Sequence, residues 1–377
     1  MAEGYVRSLF HSIPFVVKAS IWTALSFSVP TTAGTYAVKD VVVCENAYVV
    51  QVLIDAGMIM LGKANLLTPG GFSFGSIVAV AAGIVPVFLG IETDGSILVP
   101  SDRTNLYSLK LTTGKASTYG ILGYTPFIDT LKPMTRSPED VATLLDFLTP
   151  MEGYLHREFL TRSVASLRIG FLDPAVWAPT ADAVRPDAGF TNQLNNEVSA
   201  AIDAIEKAGA HVTRNAVLRR FSSEDNKMIN NFASIDYAVE FGILKDAVKV
   251  YLPDNTYKQY AETLQRNNKE LGINKVLREH NLHALMSIPL GRSATIATIA
   301  GYHVGTVPLG YARFNGVAYG MCIIAPANAE PLVLRIMSAW EAIMPKRLPP
   351  PPLLQNDGSH EKYALMPRRF FCILTGS

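Results

Sequence analysis

Ser96 and Lys18 are the residues whose types and surroundings point to chemistry in this chain. Ser96 ends the run Thr93-Asp94-Gly95-Ser96. A glycine just before a serine permits a tight turn, because glycine tolerates backbone angles that a Cβ forbids. Such a turn can present the hydroxyl beside unpaired N–H groups, the arrangement that a serine nucleophile and an oxyanion hole require. The bland alternative is an ordinary turn serine. Lys18 closes the apolar run Phe15-Val16-Val17. A lysine there is most often a surface residue whose stem lies along apolar neighbours. A third candidate is Gly71-Phe72-Ser73-Phe74-Gly75, which fits G-x-S-x-G. That motif should follow a strand directly and open a helix, but a Thr-Pro-Gly-Gly loop precedes it here. His156, His211, His280, His283 and His303 lie in settings that single out none of them as a partner.

The elements that must position these groups are legible in outline. Gly70 to Ser96 carries no charge before Glu92 and reads as a Gly/Ser loop, a buried helix of small residues and a buried strand. Leu66 to Ile91 is long enough to span a bilayer. Pro69, Pro86 and five glycines within it argue against a span. Phe15–Val17 and Met58–Leu61 read as strands, with a helix at Asn46–Ala56 between them that Gly57 stops. Arg103–Gly120 reads as strands and turns. Ser137-Pro138-Glu139-Asp140 is a helix start, with a serine cap, an early proline and acids near the positive end. Further on come strands at Leu167–Leu172, Ala210–Thr213 and His283–Ile288. Helices follow at Thr191–Ala208, Ser223–Leu252, Tyr257–His280 and Glu330–Met344. Asn315-Gly316 between two apolar runs predicts a type I′ hairpin. The alternation of strand and helix predicts an α/β fold.

Composition removes several function classes. With 377 residues the chain suffices for one large α/β domain or two smaller ones. A net charge of +1 gives no reason to expect nucleic acid or an anionic membrane as partner. Cys44, Cys322 and Cys372 are too few and too scattered for a disulfide framework or a zinc site, so a reducing, cytoplasmic setting is expected. The N-terminus lacks the pattern of a secretory signal.

Taken together, the motifs resemble a family. IPFVVK (Ile13–Lys18), TTAGTYA (Thr31–Ala37), LIDAGMIMLGKANL (Leu53–Leu66), GGFSFGS (Gly70–Ser76), AVAAG (Ala79–Gly83) and LGIETDGSILVPSDR (Leu89–Arg103) are similar to the amidase-signature enzymes, most closely to fungal members. LKLTTG (Leu109–Gly114), DTLKPMTRSPEDVATLLD (Asp129–Asp146), VPLGY (Val307–Tyr311) and MSAWEA (Met337–Ala342) extend the likeness to about Lys346.

The resemblance implies an α/β amidase-signature fold, a central mixed β-sheet covered by helices on both faces. It implies one domain over residues 1–347, with a short N-terminal region, followed by a Pro-rich tail at 348–377. It also implies hydrolysis of a small-molecule carboxamide through an acyl-serine, without cofactor or metal. The family's Ser–cis-Ser–Lys triad places the nucleophile at Ser96 and the base at Lys18. The backbone of Thr93, Asp94, Gly95, Gly70 and Gly71 would hold the oxyanion and substrate.

The bridging serine is where the pattern breaks, because this chain has Phe72 there. A phenyl ring neither accepts nor donates a proton. Ser73 is the nearest replacement relay. Lys18 is followed by Ala19-Ser20 instead of the family's Asp-Asn, Phe74 and Leu111 replace a small residue and a proline, and the Leu66–Pro69 connection is short. Two outcomes follow from these departures: an amidase of weakened activity, or a catalytically impaired relative that binds or regulates.

Overall fold

The computed structural model describes residues 6–34, 38–65, 73–123, 127–179, 187–229 and 254–348. Its centre is a ten-stranded mixed sheet in the order β2-β1-β3-β5-β4-β9-β10-β8-β6-β7. The first half comprises β1 (Pro14–Lys18), β2 (Ile59–Ala64), β3 (Val87–Glu92), β4 (Tyr107–Lys110) and β5 (Thr130–Thr135). The second half comprises β6 (Arg168–Leu172), β7 (His211–Ala216), β8 (Ala284–Ser287), β9 (Val304–Tyr311) and β10 (Ala318–Ile324). β1 runs parallel to both β2 and β3, whereas β3–β5, β5–β4, β4–β9 and β9–β10 are antiparallel.

Helices cover both faces. One layer is α1 (Tyr48–Asp55), α4 (Pro138–Leu148), α5 (Ala188–Lys207) and α9 (Glu330–Ile343), whose apolar stripes meet Phe15, Val17, Leu89, Leu109 and Met321 in the largest core. The other layer includes α2 (Phe74–Ala81), α3 (Leu98–Arg103), α7 (Asn274–Glu279) and α8 (Ser293–Ile299), packed on Val16, Phe88, Met134, Val304 and Ile324. α6 (Asp254–Asn268) leads through a wide turn at Lys269–Ile273 into α7. Side chains of a strand alternate between faces, so Lys18 emerges on the α2/α3 side together with Val16.

Most expected elements are present, and the Ser137 cap forms as predicted: its hydroxyl accepts the N–H of Asp140 at 3.1 Å. The hairpin differs from expectation. β9 and β10 are joined by residues 312–317; Gly316 alone in that loop has positive φ (+70°), and Asn315 does not. A type I′ turn needs both residues left-handed. Here Gly316 closes a longer loop, donating to Ala312 O at 2.7 Å. α3, α8 and strand β5 were not anticipated, because each is short and lacks a clean period. The helix expected over 223–252 is seen at 223–229, and the rest of that stretch lies outside the described residues. Among the described residues, no helix is long and apolar enough to cross a membrane.

Candidate active site

Parallel pairing of β1 with β3 brings two of the sequence candidates to one sheet end. Val17 is in register with Leu89, so Lys18 lies at the carboxyl end of β1 where β3 runs on toward Ser96. Lys18 is 3% exposed, and its Nζ reaches the carbonyl of Ile91 on β3 at 3.4 Å. Ser96, 6% exposed, stands in the turn between β3 and α3. Gly95 takes φ +76°, the left-handed geometry that its lack of a Cβ allows. Among the described residues, the N–H groups of Thr93, Asp94, Gly95 and Ser96 donate to no protein acceptor.

Ser73 immediately precedes α2. It is fully buried and its Oγ has no hydrogen-bond partner. An elbow nucleophile stands exposed at a strand–helix turn, so the buried Ser73 does not fit the G-x-S-x-G reading. No histidine among the described residues hydrogen-bonds Ser73 or Ser96. Phe72, Gly70 and Gly71 lie outside the described residues.

Beneath the Ser96 turn is a cluster of buried charges that sequence reading did not find. Glu92 Oε2 accepts the N–H groups of Ile97 and Leu98, both at 2.5 Å, and so caps the turn from below. Its Oε1 meets Lys132 Nζ at 3.4 Å. Lys110 Nζ donates to the carbonyls of Glu92 (3.0 Å), Thr93 (3.3 Å) and Ile128 (2.8 Å). The Thr93 hydroxyl donates to Asp129 at 2.6 Å. Lys110 and Lys132 are both fully buried. The β4–β5 register, continued through Leu111 N to Leu131 O, sets them opposite each other.

Burial opposes the charge on Glu92. Lys132, Lys110 and the two N–H groups outweigh it, and its carboxyl falls below the ordinary value. Burial draws Lys110 down to about 8 against the pull of Glu92. Lys132 is lowered for the same reason, also with Glu92 resisting. The signal that could have revealed both lysines is a lone cation inside an apolar strand run, in YSLKL and DTLKPM.

Asp94 keeps an open side to water although protein surrounds the rest of it. That crowding is the main cause that lifts its carboxyl to about 6; repulsion from Glu92 adds to it, and the Thr295 hydroxyl, Lys110 and Arg292 pull it back. Arg292 opens α8 and lies 5.1 Å from the Phe221 ring centroid. An acid and a guanidinium thus line the solvent side of the turn.

Asp102, buried at the end of α3, accepts the N–H of Gly320 at 2.7 Å. Burial lifts its carboxyl from the ordinary 3.8 to about 7, against that bond and Arg103. Between those two values the folded chain holds a proton that the unfolded chain releases. The contribution to stability is therefore full below about pH 4 and is lost as pH rises through 7. Asp102→Asn keeps the acceptor and removes the titration. Its urea midpoint is expected to match wild type near pH 4 and to exceed it at pH 8 by an amount worth about 2–4 kcal/mol. Parallel midpoint curves for the two proteins would refute the assignment.

Comparison with known proteins agrees with the fold. The sequence model of a family described as Amidase matches residues 65–287. A Schizosaccharomyces pombe protein named as an amidase is 26% identical across 93% of this chain and 76% of its own length. An Arabidopsis thaliana protein, likewise named, is 27% identical across 91% of this chain and 78% of its own length. The crystal structure of the native peptide amidase from Stenotrophomonas maltophilia has the same fold, with a TM-score of 0.76 at 24% identity over 92% of this chain and 85% of that one.

Proposed function

Because the chain belongs to the amidase family, whose members are hydrolases acting on amide bonds, we propose that it cleaves a small-molecule carboxamide through an acyl-Ser96 intermediate. The observation that carries this reading is that Lys18 closes β1 against Ile91 of the parallel β3, whose following turn holds Ser96 and four N–H groups without a protein acceptor. Lys18, which must be neutral to act as base, draws the Ser96 proton through the Ser73 hydroxyl or a water. Ser96 Oγ then attacks the amide carbon. The N–H groups at Thr93, Asp94, Gly95 and Ser96 receive the negative charge on the carbonyl oxygen. Lys18 returns the proton to the departing amine, and water releases the acid by the same route.

A fluorophosphonate probe tests this reading. Wild type is expected to be labelled at Ser96 and to hydrolyse simple aryl amides, and Ser96→Ala to lose both. A well-folded wild type that neither labels nor turns over would end it. One observation favours a second reading, a binding or regulatory protein on the same fold. In the sequence Phe72 stands where the family motif has its bridging serine, and Ser73, its nearest substitute, has a buried hydroxyl bonded to neither Lys18 nor Ser96. Turnover that vanishes on Ser96→Ala would exclude it.

A further inference from the structure

The contacts of Lys110 bear on the direction of the N–H groups above it. An ammonium has three donors, and Lys110 gives them to the carbonyls of Glu92, Thr93 and Ile128. A trans peptide is planar, with its C=O and N–H pointing to opposite sides. The Glu92 carbonyl shares a peptide unit with the Thr93 N–H, and the Thr93 carbonyl shares one with the Asp94 N–H. Two successive carbonyls drawn to one cation therefore turn two successive N–H groups the other way. Successive N–H groups facing one side form an anion-binding concavity, and Gly95 continues the turn with its left-handed φ of +76°.

We propose that Lys110 is the positioning residue that aims the Thr93 and Asp94 N–H groups at the oxyanion. This rests on the acyl-Ser96 reading. Lys110 touches no substrate and acts through the two peptide units. Its positive charge also polarises them, which strengthens the bonds they donate. Glu92 and Lys132 complete the floor: Glu92 fixes the N–H groups of Ile97 and Leu98 just past Ser96, and Lys132 holds Glu92.

Lys110→Met, Lys110→Arg and wild type are compared with an aryl amide and with phenylboronic acid, which forms a tetrahedral anion on an active serine. For Lys110→Met, kcat is expected to fall about 10²–10³-fold, the usual loss when an oxyanion donor is removed. KM should stay within about threefold, and boronate affinity should fall in parallel with kcat/KM. Lys110→Arg, which retains cation and donors, should recover at least about tenfold of the loss. A purely structural role would lower the folded fraction without this split. A folded Lys110→Met protein with kcat and boronate affinity within about threefold of wild type overturns the proposal. If Lys110→Met does not fold, Lys110→Gln, which can hold fewer of the carbonyls, is read against the same limits.

The readout that needs no turnover is the pair of Thr93 and Asp94 amide resonances in labelled protein. They are expected to be single and sharp in wild type and to broaden or split in the variant; unchanged resonances overturn the assignment. Wild type without labelling or turnover, but with those resonances responding to Lys110, would instead refute the hydrolase reading and leave the positioning role standing.

Discussion

Phe72→Ser is expected to raise kcat on a simple aryl amide by about 10²–10⁴-fold, the range over which a placed proton-transfer group acts. The family triad passes a proton between nucleophile and lysine through a hydroxyl, and a phenyl ring offers neither lone pair nor donor for that step. Ser73 does not replace it in the resting geometry, since its hydroxyl is buried without a partner. The substitution also exchanges a large side chain for a small one, so stability must be read beside rate. A rise in kcat with KM within a few fold marks a restored relay. A fall in KM alone would mean that the ring only blocked the pocket. Unchanged kcat and unchanged fluorophosphonate labelling would show that the missing hydroxyl does not limit this protein.

The sequence was most informative where local chemistry and period agree. Ser137 capping α4, Gly57 ending α1 and the apolar run of β1 each depend on neighbours within a few residues, and each is found. Ser96 and Lys18 could be proposed from the sequence because the turn chemistry of Gly95 and the family motifs are contiguous in the chain. Lys110, Lys132 and Glu92 could not be, because their roles arise from strand register. Lys110 meets the Glu92 carbonyl only once β4, β5 and β3 lie side by side. A lone strand lysine gives the same local signal whether it snorkels to water or sits in the core. The hairpin failed for a related reason. Asn315-Gly316 carries the type I′ composition, but loop length, set by how β9 and β10 pair, decides which residue turns left-handed.

Lys18→Met is expected to reduce kcat by about 10⁴-fold, the upper end for loss of a general base. The variant should keep or slightly raise the unfolding midpoint. Methionine fills a similar volume and removes from a side chain only 3% exposed an amine that is costly to bury. Activity and stability should therefore move apart, which a structural lysine would not allow. Lys18→Arg sharpens the test: guanidinium keeps the charge and the donors but cannot give up its proton in a protein, so it should be as inactive as methionine. An active Lys18→Arg enzyme would mean that the cation acts by its field and not as a base. The double variant Lys18→Met with Phe72→Ser joins both expectations. A restored hydroxyl with no base behind it has nowhere to send the Ser96 proton, so the gain from Phe72→Ser should vanish in the Lys18→Met background. Such non-additivity is the signature of residues acting as one relay. An undiminished gain would separate Phe72 from Lys18 and assign the effect of the ring to pocket shape.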